Sequence, residues 1–174
     1  SGLMQAPPAP PPAATVAIEG SEARFPVRRI FCVGRNYAEH TREMGGDPMR
    51  EAPFFFAKPA DAVVASGATI PFPPRTEDLH HEAELVIALG AGGHDISVAD
   101  ASRLIWGHAA GNDLTRRDLQ AEAKAARRPW DMAKGFDNSA VIGAIRAGLP
   151  SDAPIRCSVD GRVTQEAMLS DMIW

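Results

Sequence analysis

Glu82 and Glu84 stand two residues apart at the head of an apolar run, Leu85-Val86-Ile87-Ala88-Leu89. The run reads as a buried strand, and residues i and i+2 of a strand share a face. The two carboxylates would then converge about 7 Å apart on a surface that otherwise belongs to a core. A buried carboxylate costs several kcal/mol unless a cation or a donor meets it. Two readings follow: a half-exposed strand end with two solvated glutamates, or a sheet whose mouth holds a metal ion.

A third acid favours the metal. Ala109-Ala110-Gly111-Asn112 is a small-residue approach to Asp113, and a helix start follows. Thr115 is the expected N-cap, with Asp118 three residues on in a capping-box arrangement. Asp113 is thus expected at a strand-to-helix junction, where side chains reach into sites. Glu82, Glu84 and Asp113 make a hard all-oxygen ligand set, which suits Mg²⁺, Mn²⁺ or Ca²⁺ better than Zn²⁺. His80 shares the face of Glu82 in this reading, so a histidine–carboxylate zinc or iron site is the alternative. A histidine at a strand mouth more often hydrogen-bonds a ligand than serves as one.

The rest of the chain agrees with one globular unit. At 174 residues, a single core can bury roughly 70% of the unfolded surface. The net charge of −4 comes without a basic stripe, which argues against nucleic acid as partner. Cys32 and Cys157 make no disulfide framework, so a reducing, cytoplasmic compartment is expected. No apolar run approaches the ~20 residues of a membrane span, and no secretory signal opens the chain. Ser1-Gly2-Leu3 before Met4 reads as a cloning remnant. Pro7, Pro8, Pro10, Pro11 and Pro12 make a disordered, polyproline-like lead-in. Residues 1–14 are therefore set apart from a domain at 15–174.

Strands are expected at Thr15–Ile18, around Phe25 and Val27, and at Arg29–Val33, Phe54–Phe56 and Ala62–Val64. Glu84–Leu89, Val141–Ile145 and Ile155–Val159 follow. Helices are expected at Val98–Ile105 and Thr115–Arg127. The sum is a strand-dominated α+β fold.

Asn36 is placed to cap a short helix, with Glu39 at the capping-box position. On that helix His40 and Glu43 are i,i+3 neighbours. A carboxylate on an imidazole fixes its tautomer and raises its basicity, which suits a general base acting on water. An incidental surface ion pair is the plainer alternative. Gly45-Gly46 ends the helix.

Five ordered motifs carry a resemblance. They are Ile30 to His40, Phe54-Phe55-Phe56-Ala57-Lys58-Pro59, His80 to Glu84, Gly111 to Gln120, and Arg128 to Asp137. From about Phe25 to Trp174 the chain resembles the fumarylacetoacetate hydrolase family and, within it, the bacterial fumarylpyruvate hydrolases. The resemblance implies a mixed β-sandwich or roll with a few short helices. It implies Mg²⁺ on Glu82, Glu84 and Asp113, and a homodimer. It also implies that His40 and Glu43 lie on a lid, Tyr37 to Arg50, that orders over the substrate.

Three carboxylates around one Mg²⁺ leave a charge of about −1, which would repel a dicarboxylate substrate. By the same resemblance Arg117, Gln120 and Lys134 face the pocket, Lys134 among the catalytic groups. Arg35 and Lys58 are further substrate-binding candidates. Arg116 reads as a solvated helix residue, and Trp130 as core. Lys134, between Trp130 and Phe136, is expected in apolar surroundings.

The reaction so implied is hydrolytic carbon–carbon cleavage of a 2,4-dioxo acid, fumarylpyruvate giving fumarate and pyruvate in aromatic (gentisate) degradation. An acylpyruvase and an oxaloacetate decarboxylase are the alternatives within the family. Relatives continue past the position of Trp174 into further strands, so the domain reads as lacking its C-terminal strands. A non-catalytic metal-binding dimerisation module is accordingly the reading from another class. If His40 is the base, His40→Ala lowers kcat about 10²–10⁴-fold with metal binding intact. Steady-state kinetics beside a metal titration measure both, and an unchanged kcat removes the dyad from the reaction.

Overall fold

The computed structural model describes residues 2, 4–37 and 52–174. The expected helix after Asn36, the His40–Glu43 pair and the lid beyond Tyr37 lie outside the described residues. The first strands are β1 (Thr15–Ala17), β2 (Arg24–Pro26), β3 (Ile30–Gly34), β4 (Phe54–Lys58) and β5 (Val63–Ala65). Next come β6 (Leu79–His80), β7 (Ala83–Leu89), the short helix α1 (Val98–Ala101), β8 (Ile105–Asp113) and β9 (Thr115–Arg116). Helices α2 (Arg117–Ala126) and α3 (Asp131–Lys134) precede β10 (Ala140–Ile142), β11 (Arg146–Ala147), β12 (Pro154–Val159) and β13 (Arg162–Met168). The strand-dominated α+β expectation holds.

β8 organises the molecule. β7 pairs antiparallel along one edge, from Ala83↔Asn112 to Leu89↔Ile105. β10 and β11 share its other edge, and β5 joins parallel outside β10. On one face of the β7–β8 pair, Val86, Ala88 and Ala109 pack with Val16 and Ile145 into the core. Further along that same face, in the same alternation, come Glu84, Glu82 and Asp113. The opposite face is open: Ile87 and Leu89 are exposed, so β7 is buried on one side only, not on both as its apolar run suggests.

Small residues make this packing possible. A Cβ on Gly107 would lie 2.5 Å from the Arg146 carbonyl oxygen, and one on Gly111 2.6 Å from Val86 Cγ2. The low strand propensity of Gly107, Ala109, Ala110 and Gly111 is also why the sequence hides β8. Its charged, exposed residues hide β13 in the same way.

Helix boundaries need correction. α1 stops at Ala101 and a 3-10 turn, Ser102–Leu104, leads into β8, so helix does not reach Ile105. Thr115 does not cap α2. It lies fully buried in β9, the helix begins at Arg117 without a side-chain cap, and Arg127 ends it in a left-handed conformation (φ 55°). Asp118 turns back to accept from Thr76 Oγ1 and the Glu77 backbone N–H. No helix among the described residues is long and apolar enough to cross a membrane.

Ile145 is 2% exposed and ties β1 to the sheet through backbone bonds with Ala17 and Glu19. Ile145→Ala is expected to destabilise the fold by about 2–5 kcal/mol. Urea unfolding measures it, and a loss below 1 kcal/mol, roughly the cost of an exposed position, would displace this residue from the core.

Candidate metal centre and active site

The β7–β8 register sets the site. The Asp113 backbone N–H donates to the Glu82 carbonyl at 2.8 Å, directly beyond the Ala83↔Asn112 pair. Glu84 lies opposite Gly111, so the three acids gather at one end of the pair. One ligand oxygen from each of Glu82, Glu84 and Asp113 lies within 4.8 Å of the others. Asn112 Oδ1 accepts from the Glu82 N–H at 3.0 Å, and Gln165 Oε1 accepts from the Ala83 N–H at 2.8 Å. The two peptide groups flanking Glu82 are thereby held, one from β8 and one from β13. Sequence reasoning missed both partners, because only the register brings them there.

Two lysines enter this acidic face from below. Lys134 Nζ donates to Glu82 Oε2 at 2.9 Å, Asp113 Oδ2 at 2.8 Å and Thr115 Oγ1 at 2.8 Å. Its tip is therefore anionic in surroundings, not apolar, although the Phe56 ring lies 4.8 Å away. Lys58 donates to the carbonyls of Leu114 (2.9 Å) and Lys134 (2.6 Å), and pairs with Asp113 Oδ1 at 2.7 Å. At 3% exposed, with its ammonium spent on these partners, Lys58 is a strut behind the site. Burial lowers its pKa, with Asp113 opposing.

Arg117 reaches Glu82 Oε1 at 2.7 Å and Gln120 Oε1 at 2.6 Å, and its Nε donates to His80 Nδ1 at 3.2 Å. That bond leaves His80 Nε2–H to donate to Asp78 Oδ1, 2.8 Å away. His80 stands outside the acid triad and orients Arg117, which removes the expectation of a histidine ligand for zinc or iron. Arg116 corrects another expectation: it is 6% exposed, donates to the Met132 and Pro74 carbonyls, and lies over Phe136. Trp130 packs against Phe54 and Phe56 as expected of core. Arg35 sits over the Phe54 ring at the end of β3, with a left-handed backbone (φ 54°).

Charge balance points to a dication. Burial raises the Glu82 pKa, but Lys134 and Arg117 outweigh it and hold the group at about 2. Glu84 has no such partner among the described residues, so burial and the charges of Glu82 and Asp113 push it up to about 8. Burial raises Asp113 as well, with the two ammonium groups opposing it. A hard divalent cation fits a crowded, all-carboxylate set in which one member lacks a counter-charge.

Three gathered carboxylates at the end of the β7–β8 pair, braced by two buried lysines, make a centre able to hold a divalent cation. The fumarylacetoacetate (FAA) hydrolase C-terminal family matches residues 29–174, and the chain belongs to that family. Among solved structures it is similar to the fumarylpyruvate hydrolase of Pseudomonas aeruginosa, crystallised with Mn²⁺ and pyruvate. The two are 49% identical over 95% of this chain and 75% of that one, with a TM-score of 0.90. It is 39% identical to the fumarylpyruvate hydrolase of a Ralstonia species, over 74% of this chain and 68% of the relative. The mitochondrial oxaloacetate tautomerase of Arabidopsis thaliana is 38% identical over 84% of this chain and 67% of the relative.

Glu84 makes metal-free stability depend on pH. Unfolded it titrates near 4.5, folded near 8, so between these values the native state holds the extra proton. Its contribution is complete below pH 4.5 and is lost as pH rises through 8. Glu82 acts in the opposite sense but only at lower pH, between 4.5 and about 2. Metal-free urea unfolding is expected to show falling stability from about pH 5 to about pH 8. Mn²⁺ is expected to reverse the fall. A flat metal-free profile would contradict the protonated Glu84.

Proposed function

We propose that the chain is a divalent-metal-dependent hydrolase that cleaves the carbon–carbon bond of a 2,4-dioxo acid, fumarylpyruvate, to fumarate and pyruvate, with Mg²⁺ as the working ion. The observation that carries the reading is the convergence of Glu82, Glu84 and Asp113, with Lys134 and Arg117 bound to their outer oxygens. The similarity to the Pseudomonas protein, crystallised with pyruvate, supports the choice of substrate.

Glu82, Glu84 and Asp113 would hold the divalent ion, which would supply Lewis acidity towards the substrate. The protein's own groups do the rest. Arg117 is fixed on three sides, by Glu82, Gln120 and His80, so its guanidinium meets an anionic substrate without first being ordered. Gln120, 5% exposed, accepts from Arg117 through Oε1, which leaves its amide N–H groups as donors. Lys134 bridges Glu82 and Asp113 and fixes the spacing of the two carboxylates. His40, the base that the family resemblance implies, would take a proton from water at a ring nitrogen as the water oxygen bonds to the distal ketone carbon. The carbon–carbon bond then breaks: fumarate leaves, and the electron pair passes to the pyruvate fragment, which takes a proton.

A second reading is oxaloacetate tautomerisation or decarboxylation, favoured by the similarity to the Arabidopsis enzyme. One assay separates the two. With Mn²⁺ or Mg²⁺, the ultraviolet band of fumarylpyruvate is expected to decay with stoichiometric fumarate and pyruvate, and a chelator is expected to stop it. Turnover of oxaloacetate with an unchanged fumarylpyruvate band would replace the hydrolase by the second reading. Lys134→Met is expected to lower kcat by about 10²-fold or more, because two carboxylates lose the ammonium that bridges them. Near-normal turnover in that variant would remove Lys134 from the machinery.

A further inference from the structure

Beside the metal centre, Phe54, Phe56 and Trp130 form one aromatic patch. Trp130 meets Phe54 edge-on at 5.4 Å and Phe56 at 5.7 Å between centroids. Each ring carries its own cation: Arg35 over Phe54 at 5.6 Å, Lys134 over Phe56 at 4.8 Å, Lys124 over Trp130 at 5.2 Å. Lys134 is committed to Glu82 and Asp113. Lys124 is half-buried, and its ammonium makes no hydrogen bond or ion pair among the described residues. After burial itself, Arg35, Arg117 and Lys134 depress its pKa, and only Glu82 opposes them. An ammonium ringed by like charge and lacking an anion is a cost to the fold, and such costs collect where a ligand relieves them.

The helix aims this group along the site. Arg117, Gln120 and Lys124 follow one another at i, i+3 and i+7, on one face of α2. Arg117 touches the metal-ligating Glu82, and Lys124 stands one turn, about 6 Å, beyond Gln120. A seven-carbon diacid held by its keto-acid end at the triad would carry its other carboxylate towards that turn. We propose that Lys124 binds the far carboxylate of the substrate and thereby makes the site select dioxo diacids over dioxo acids with an uncharged acyl end. The inference rests on the dioxo-acid reading above for its substrate, but its anion recognition is measurable without turnover.

The test uses the full chain loaded with Mn²⁺, in wild type, Lys124→Gln and Lys124→Arg, titrated calorimetrically with fumarate and with pyruvate. A charge-assisted contact predicts that Lys124→Gln weakens fumarate roughly 10–100-fold and pyruvate far less, with Lys124→Arg restoring most of the fumarate affinity. Fumarate affinity unchanged in Lys124→Gln, equal weakening of both ligands, or no fumarate binding by wild type overturns the assignment. In kinetics, the fumarylpyruvate-to-acetylpyruvate ratio of kcat/KM is expected to fall roughly tenfold or more in Lys124→Gln, through KM. A ratio that does not move overturns it too. Wild type that cleaves neither substrate removes the dioxo-acid reading, while the fumarate titration still decides Lys124.

Discussion

Crowding three carboxylates within 4.8 Å at a buried sheet end is the constraint that the surrounding structure answers. Like charges so close in a poorly solvated setting repel strongly and must be met by cations or protons. The chain meets two of them internally. Lys134 bridges Glu82 and Asp113, Lys58 supports Asp113 from behind, and Arg117 covers the outer oxygen of Glu82. Glu84 is left to a proton or a metal. Lys58 of β4 donates to the carbonyls of Leu114, the residue between β8 and β9, and of Lys134 at the end of α3, and so ties these three segments together.

Core and site share one face of one strand pair, and this is economical in geometry. The alternation that sends Val86, Ala88 and Ala109 inward sends Glu82, Glu84 and Asp113 the same way. The three acids therefore inherit the rigidity of a sheet rather than of a loop, with Asn112 and Gln165 fixing the peptide groups beside them. Rigid placement of the acids matters because a binding constellation must be held within about 0.5 Å of its working geometry.

The acid cluster was legible in the sequence because its chemistry is unusual at that place: two acids in strand alternation before an apolar run, and a third after a small-residue stretch. Much of the frame was not. Gly107 and Gly111 are poor strand formers, yet close packing against Ile145, Arg146 and Val86 demands glycine there in the central strand. Thr115 looks like a cap because its neighbours suit one, but a buried ammonium claims its hydroxyl. Arg116 looks solvated, while its guanidinium closes two carbonyls and stacks on Phe136. Lys58 resembles a ligand-binding residue and is a strut. In each case a contact distant in sequence overrode the local signal, and nothing local could have announced it.

The parentage of the acid cluster has a kinetic consequence. Glu82 and Asp113 are joined only once β7 has paired with β8, and Lys134 and Lys58 arrive from segments 76 residues apart. Closing such loops comes before their contacts can reward it, so the cluster belongs to the late, downhill side of the folding barrier. An ion captured there has little to hold in the transition state. It would lengthen the lifetime of the native chain by slowing its opening, and leave the speed of refolding almost untouched.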